Sequence, residues 1–324
     1  MAMKEARELR DIFCEVLMQE AERDSRVCLL EADLMLAAGT YPFNSKFPDR
    51  TFNVGVCEAN MMSVAAGLAA MGKIPVATTF TPFASRRVYD QVFLSICYAG
   101  LNVKIRGLDP GIAAQLNGGT HMCFEDVGLM RNIPNMTVVE PIDEIQMRRM
   151  LPEIIRHDGP VYFRTFRMNA DKIYNDDYEF VWGKPDRLCD GCDVTIMASG
   201  ILVQNALDAA ALLRAEGISA RVYNVHTIKP LHTETVLAAA TETGAVVTVE
   251  NHNVVNGLGS AVAEVLVENA PVPMERVGIR DCFGEVGKLD YLQKRFSLEA
   301  SDIAAAARRV VGRKKNAGPA GTQK

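Results

Sequence analysis

The stretch FNVGVCEANMMSVAAGLAAMGKIPVATTF, residues 52–80, decides the fold. An apolar run, Phe52 to Val56, passes through glycine and cysteine into Glu58, the small-residue helical pattern MMSVAAGLAAMG follows, and a second apolar run, IPVATTF, closes the unit. Two short β runs separated by helical periodicity are the signature of a βαβ crossover and a parallel sheet. Working outward, the first half adds strands over 27–31, 102–107, 136–140 and 161–165, and helices near 4–21, 84–98, 125–132 and 143–157. The second half restarts with strands over 194–199, 220–225, 245–250 and 276–280, with helices at 203–216, 233–243 and 258–269 between them. A polar, aromatic segment, 169–191, keeps neither period and reads as a linker. The expectation is α/β: two doubly wound, largely parallel-sheet domains, 1–168 and 192–324.

With 324 residues, 48% hydrophobic and 23% charged, the chain has the composition of a globular protein with a sizeable core. A net charge of −5 gives no basic footprint for nucleic acid. The apolar runs fall short of the ~18 residues that a membrane span needs. The start, MKEARELRDIFCEVL, reads as a charged helix and not as a signal peptide. Cysteines 14, 28, 57, 97, 123, 189, 192 and 282 are scattered through mostly apolar segments, as reduced thiols of a cytoplasmic protein are. Cys189 and Cys192 form a C-x-x-C that suits a redox or metal pair, but with no second pair or nearby histidine it reads as a turn.

In a doubly wound sheet, ligands bind beyond the C-terminal ends of the strands. Four features fall there: Glu58, the segment TTFTPF with Phe80 and Phe83, the loop 107–122, and Arg164 in VYFRT. Glu58 reads either as a helix-start acid at the positive end of a dipole or as a functional carboxyl. Phe80 and Phe83 read either as core side chains or as a wall for a flat ligand ring. His121 stands behind Gly118-Gly119, where glycine allows close backbone approach, and reads either as a structural or as a functional histidine. No Walker loop and no G-x-G-x-x-G accompanies them, and NVVNGLGSAV (253–262) reads as a βα turn opening a helix. An acid, two rings and a histidine without a phosphate cradle make half of a cofactor site.

At FNVGVCEANMMSVAAGLAAMGKIPVATTFTPFASRRVYDQV, NGGTHMCFEDVGLMRNIPNMTVVEPID and TIMASGILVQNALDAAALL the chain resembles the C-terminal half of transketolase, from about Arg7 to Val311. That family depends on thiamine diphosphate, and the resemblance implies a pyrimidine-binding domain followed by a transketolase C-terminal domain. The Gly-Asp-Gly motif that binds Mg²⁺ and the diphosphate in the family does not occur in these residues. The chain is thus similar to one subunit of a split transketolase, with a separate N-terminal subunit supplying metal and diphosphate sites. The implied metal ligands on this chain are none, and the implied assembly is an α2β2 heteromer.

By the same resemblance, Glu58 shares a proton with N1′ of the cofactor's aminopyrimidine, and Phe80 and Phe83 pack on that ring. Asp33 and Leu34 border the cofactor. Arg86 stands where the family has a tyrosine of the aromatic wall. His121 contacts the substrate hydroxyl or carbonyl, and Arg164 grips a sugar phosphate. Asn117, Asp109 and Ala37 depart from a family aspartate, histidine and phosphate-binding serine. The implied activity is transfer of a two-carbon ketol unit from a ketose to an aldose, with sugar phosphates as the usual substrates. The alternatives are the β subunit of a 2-oxo acid dehydrogenase and a non-catalytic partner-binding module.

Overall fold

The structure, a computed structural model, describes residues 7–316. The described residues divide into two compact units, 7–182 with 283–286, and 183–282 with 287–316. The segment 169–191, expected as a linker, is therefore shared between them, and Phe283–Val286 joins the first unit by a return of the chain.

The first unit contains β1 (Val27–Glu31), β2 (Thr51–Asn53), β3 (Ile74–Phe80), β4 (Lys104–Leu108), β5 (Thr137–Val139) and β6 (Val161–Thr165). They lie in the order β5-β6-β4-β3-β1-β2, and every pairing among them is parallel. Helices α1 (Leu9–Arg23), α2 (Met35–Ala38), α3 (Tyr41–Lys46), α4 (Glu58–Ala70), α5 (Thr81–Ala84), α6 (Asp126–Asn132) and α7 (Glu144–Arg156) complete it. Every residue of β1, β3, β4 and β6 is buried, as expected of parallel strands covered on both faces. Helix α7 starts at Asp143, whose side chain accepts from the Gln146 amide at 2.7 Å, while Gln146 Oε1 accepts from the Ile142 amide at 3.0 Å. This reciprocal arrangement satisfies donors that the first turn leaves open.

Two sequence readings shift. FNVGV yields strand only to Asn53, because Gly55 turns the chain at φ 72° and delivers Glu58 to the first turn of α4. The expected helix over 84–98 divides into α5, a 3₁₀ turn Arg86–Val88 and a π-helix Gln91–Tyr98. The tighter and wider windings change which side chains face inward, and π-helical turns are frequent at functional sites.

The second unit has β7 (Asp186–Cys189), β8 (Val194–Ala198), β9 (Ala220–Asn224), β11 (Val246–Asn253) and β12 (Met274–Ile279) in the order β12-β11-β8-β9-β7, while β10 (Thr227–Lys229) lies outside this sheet. Only the β7–β9 pair is antiparallel. Its helices are α8 (Val203–Ala215), α9 (Thr233–Thr243), α10 (Leu258–Asn269), α11 (Leu289–Arg295) and α12 (Ala300–Asn316). NVVNGLGSAV does open a helix: the Leu258 and Gly259 amides donate to Glu250 Oε2 and Oε1 at 2.7 and 2.9 Å. A Cβ on Gly257 would collide with Glu250 Oε2, so glycine is needed for the carboxylate to reach the helix start. The protein's own acid occupies the place a phosphate takes at other glycine-rich helix starts. No helix among the described residues is long and apolar enough to cross a membrane.

Arg164 requires a correction. It points into the body of the first unit, where Nε lies 2.8 Å from Asp126 Oδ2 and Nη1 lies 3.0 Å from Glu140 Oε2. The side chain is 1% exposed, and the Tyr162 hydroxyl donates to the same Asp126 oxygen at 2.8 Å. Its two carboxylates hold the guanidinium firmly charged, and a buried group so engaged does not grip a sugar phosphate. Arg164→Met should therefore act on stability, because it takes from two buried carboxylates the guanidinium that both of them bond. We expect a loss of about 3–5 kcal/mol in urea unfolding. Unchanged stability combined with a raised KM for a phosphorylated sugar would restore the original expectation.

Candidate functional site

The strand ends of the first sheet assemble the site. β3 ends at Phe80, whose successor Thr81 donates through Oγ1 to the Leu108 carbonyl at 2.9 Å, fixing the exit of β3 to the exit of β4. The short helix α5 then carries Phe83 back beside Phe80, with centroids 6.4 Å apart and rings edge to face. His121 completes a ring triangle, 5.4 Å from Phe80 and 5.3 Å from Phe83. The loop holding His121 packs tightly: a Cβ on Gly119 would collide with the Gly284 carbonyl oxygen, and Gly118 has φ 73°. These contacts explain the paired glycines. His121 Nδ1 lies 2.9 Å from Thr120 Oγ1. Burial, followed by the charges of Arg167 and Arg87, pushes the imidazole below its ordinary pKa and favours the neutral ring at neutral pH.

Glu58 is 2% exposed. It does not cap its helix, as a simple helix-start acid does. Instead Oε2 accepts from Arg87 Nη1 at 2.7 Å, and Oε1 makes no hydrogen bond among the described residues. Arg87 in turn lies over the Phe83 ring, 3.8 Å from its centroid. Arg87 is the residue that sequence reasoning missed. The family's tyrosine position falls at Arg86, but the 3₁₀ turn rotates neighbouring side chains apart. Arg86 turns outward to Glu125 at 2.6 Å and to the Thr120 carbonyl at 3.4 Å, away from the rings. The expected place of Arg86 on the aromatic wall is corrected accordingly.

Beyond Phe80 the chain of contacts continues. Arg167, three residues past Arg164 and beyond the end of β6, lies 5.2 Å from the Phe80 centroid. Asp109, directly after β4, accepts from the Arg167 amide at 2.9 Å and from its Nε at 2.5 Å. The Asp109 carboxyl is 1% exposed; burial raises its pKa, and Arg167 opposes the rise. Asp33 and Leu34 stand on the other side of a cleft of about 390 Å³ that also includes Ala37, Arg10 and Arg167. Leu34 and Ala37 pack against the Phe80–Leu108 cluster, while Asp33 is tied to Asn53, whose Oδ1 accepts its amide at 3.0 Å. Asn117 lines a second cleft of about 360 Å³ with Asp109 and Arg167. Asp33, Asp109 and Gln115 adopt positive φ (62°, 54° and 46°), so non-glycine backbone strain gathers at this rim.

Beneath the rim, Arg106 ties its two sides together. Its Nε donates to Thr165 Oγ1 at 2.8 Å and its Nη1 to the Ala38 carbonyl at 3.2 Å, while its guanidinium lies 3.7 Å over Phe13. Full burial lowers its pKa to about 10. Burial likewise pushes Glu31, which accepts a 2.5 Å bond from Thr40, up to about 7.

A buried carboxyl with one unbonded oxygen, beside a triangle of rings, fits the edge and face of an aminopyrimidine. Among the described residues no group of three or more histidine, cysteine or acidic side chains could hold a metal ion.

Known proteins resemble this arrangement. Residues 5–172 match the family Transketolase, pyrimidine binding domain, and residues 183–303 match Transketolase, C-terminal domain. The 6-deoxy-6-sulfo-D-fructose transketolase subunit SqwH of Clostridium sp. (strain MSTE9) is 57% identical over 94% of this chain and 95% of its own length. An apulose-4-phosphate transketolase subunit of Actinobacillus succinogenes is 35% identical over 94% of this chain and 99% of its own. A solved structure described as split gene transketolase, inactive beta4 tetramer, superposes with a TM-score of 0.87 at 40% identity, covering 95% of this chain and 99% of that one. The order of the two matched domains and the near full-length relatives place this chain in the transketolase family, among the subunits of split transketolases.

Proposed function

We propose that this chain is the pyrimidine-binding half of a heteromeric thiamine diphosphate enzyme that moves a two-carbon ketol unit from a ketose to an aldose. The observation that carries the reading is Glu58, buried at the start of α4 with Oε1 unbonded, beside the rings of Phe80, Phe83 and His121. When bound, the cofactor supplies the nucleophilic carbon and electron sink that carry the two-carbon unit. Glu58 holds or gives up a proton at N1′ through Oε1, and Arg87, bonded to Oε2, keeps the carboxyl pointed at the ring edge. Phe80 and Phe83 hold the ring face, and Asp33 and Leu34 close its border. His121, as a neutral imidazole, donates to the substrate carbonyl or hydroxyl, where negative charge develops. Arg167 takes over from Arg164 as the arginine that meets an anionic substrate tail, with Asn117 on the same rim.

A separate N-terminal subunit holds the Mg²⁺ and the diphosphate in this proposal. Support comes from the glycine-rich start of α10, whose amides are taken by Glu250, and from near full-length relatives that are themselves named as subunits. The same names favour ketol transfer over the chemistry of a 2-oxo acid dehydrogenase and over a non-catalytic module. The donor class follows SqwH, 57% identical to this chain: a ketose with a sulfonate at its end, not an ordinary pentose phosphate. An α2β2 assembly in the cytoplasm completes the proposal.

Three measurements test it. Calorimetry on the isolated chain is expected to show weak thiamine diphosphate binding and no turnover; tight, Mg²⁺-dependent binding without a partner overturns the divided site. In the assembled complex, Glu58→Gln should leave folding intact and slow hydrogen–deuterium exchange at C2 of the bound cofactor by orders of magnitude, since the amide cannot share the proton. Exchange at the parent rate would return Glu58 to a structural role. His121→Ala should spare cofactor binding and lower kcat/KM by about 10²–10³, the usual loss for one such donor, whereas an unaffected kcat/KM removes His121 from the substrate side.

A further inference from the structure

The two clefts at the rim share Arg10 and Arg167, yet only one of these arginines has donors to spare. Arg10 is committed: Nε and Nη2 hold Glu8 at 2.6 and 2.5 Å, and Nη1 donates to the Leu36 and Ala37 carbonyls at 3.4 and 3.1 Å. Arg167 uses its amide and Nε on Asp109, and neither Nη makes a hydrogen bond among the described residues. Its side chain is 28% exposed, so the guanidinium presents an open edge to the clefts. Such an edge suits the oxygens of a tetrahedral anion.

The charge behind that edge is nearly cancelled. Asp109 is buried and spends both oxygens on Arg167, so an incoming anion meets an ion pair and not a lone cation. The other charged groups facing the pair are Glu8, Arg10 and Asp33 along the clefts, Arg106 beneath with Glu31 beside it, and His121 across Phe80. Arg10 is matched by Glu8, and Arg106 faces the carboxyls of Glu31 and Asp109, which leaves little net positive charge to meet a second negative one.

On the ketol-transfer reading above, we propose that Asp109 acts as the charge selector of this site, fitting it to a singly charged sulfonate and against the dianion of a phosphate ester. The two heads share a tetrahedral shape and three terminal oxygens. They differ in charge, because a phosphate monoester carries about −1.5 to −2 near pH 7 with its second ionisation near 6. Asp109 positions Arg167 through two bonds and sets how much charge that arginine shows.

The test uses the complex of this chain with its diphosphate-binding subunit and two probes on one carbon skeleton, 2,3-dihydroxypropane-1-sulfonate and glycerol 3-phosphate. Calorimetry at about pH 7.5 should give the sulfonate at least a tenfold advantage in Kd, shrinking about tenfold at about pH 5.5 as the phosphate becomes a monoanion. Burial and the nearby arginines favour neutral His121 at about pH 7.5, and at about pH 5.5 both probes are mainly singly charged, so its protonation weighs on them alike. Asp109→Asn should erase or reverse the preference at about pH 7.5, a change of about tenfold or more. In that variant position 109 no longer titrates, so the pH dependence that remains comes from the ligand, Glu31 and His121 and not from Asp109. A parent complex that binds the phosphate as tightly as the sulfonate overturns the proposal, and so does a preference that Asp109→Asn leaves in place. A preserved preference without ketol transfer from any sulfonated, phosphorylated or uncharged ketose supports the selector and overturns the ketol-transfer reading instead.

Discussion

A parallel sheet covered on both faces has one place to put its chemistry, the edge where its strands end, and the first unit is organised by that constraint. The interiors of β1, β3, β4 and β6 are buried throughout, so functional groups stand just past the strands or at the start of the next helix. Phe80, Asp109 and Arg167 all occupy such positions, and Glu58 opens the helix that follows β2. Arg106 is the exception that makes the edge work. Its register partner on β3 is Thr78, whose own partner on β1 is Glu31, so one row of polar side chains crosses the sheet just below the rim. By bonding to the Ala38 carbonyl on one wall and to Thr165 on the other, Arg106 fixes the distance between walls that carry different parts of the site.

The electrostatics of the rim are arranged in pairs. Glu58 is matched by Arg87, Asp109 by Arg167, and Arg10 by Glu8. Each of the first two pairs leaves something over: Oε1 of Glu58, the Nη groups of Arg167. Pairing lets charged groups stay at a half-buried crevice without the full desolvation penalty, and the unbonded remainder faces the crevice. His121 sits between these two pairs, and the nearby arginines help keep it neutral.

Much of this was legible in the sequence. The alternation of β runs and helical runs located all six strands of the first unit and the parallel architecture, because buried parallel strands leave long apolar signatures. Glu58, Phe80, Phe83 and His121 stood out as polar or aromatic residues at strand exits, and the structure gathers them around one spot. What sequence could not resolve were side-chain directions in irregular backbone. Arg86 and Arg87 are adjacent, and only the 3₁₀ turn decides which one reaches Phe83 and Glu58. Arg164 and Arg167 differ in the same way. A usable signal existed there: Arg164 lies inside the apolar run VYFRT, where an arginine must be paired within the protein, while Arg167 lies beyond it. The helices at 35–46 left no periodic trace because each is shorter than two turns.

The pair formed by Glu58 and Arg87 also bears on how such a subunit lives before assembly. A buried carboxylate that depended on a ligand for its partner would leave the newly made chain strained until that ligand arrived. Here the counter-ion comes from the same polypeptide, stacked on a ring of the same wall. The first unit can therefore reach its folded form from its own residues, and synthesis, folding and docking become separable events. A chain built this way holds the acid of its crevice in place with groups of its own before anything else arrives there.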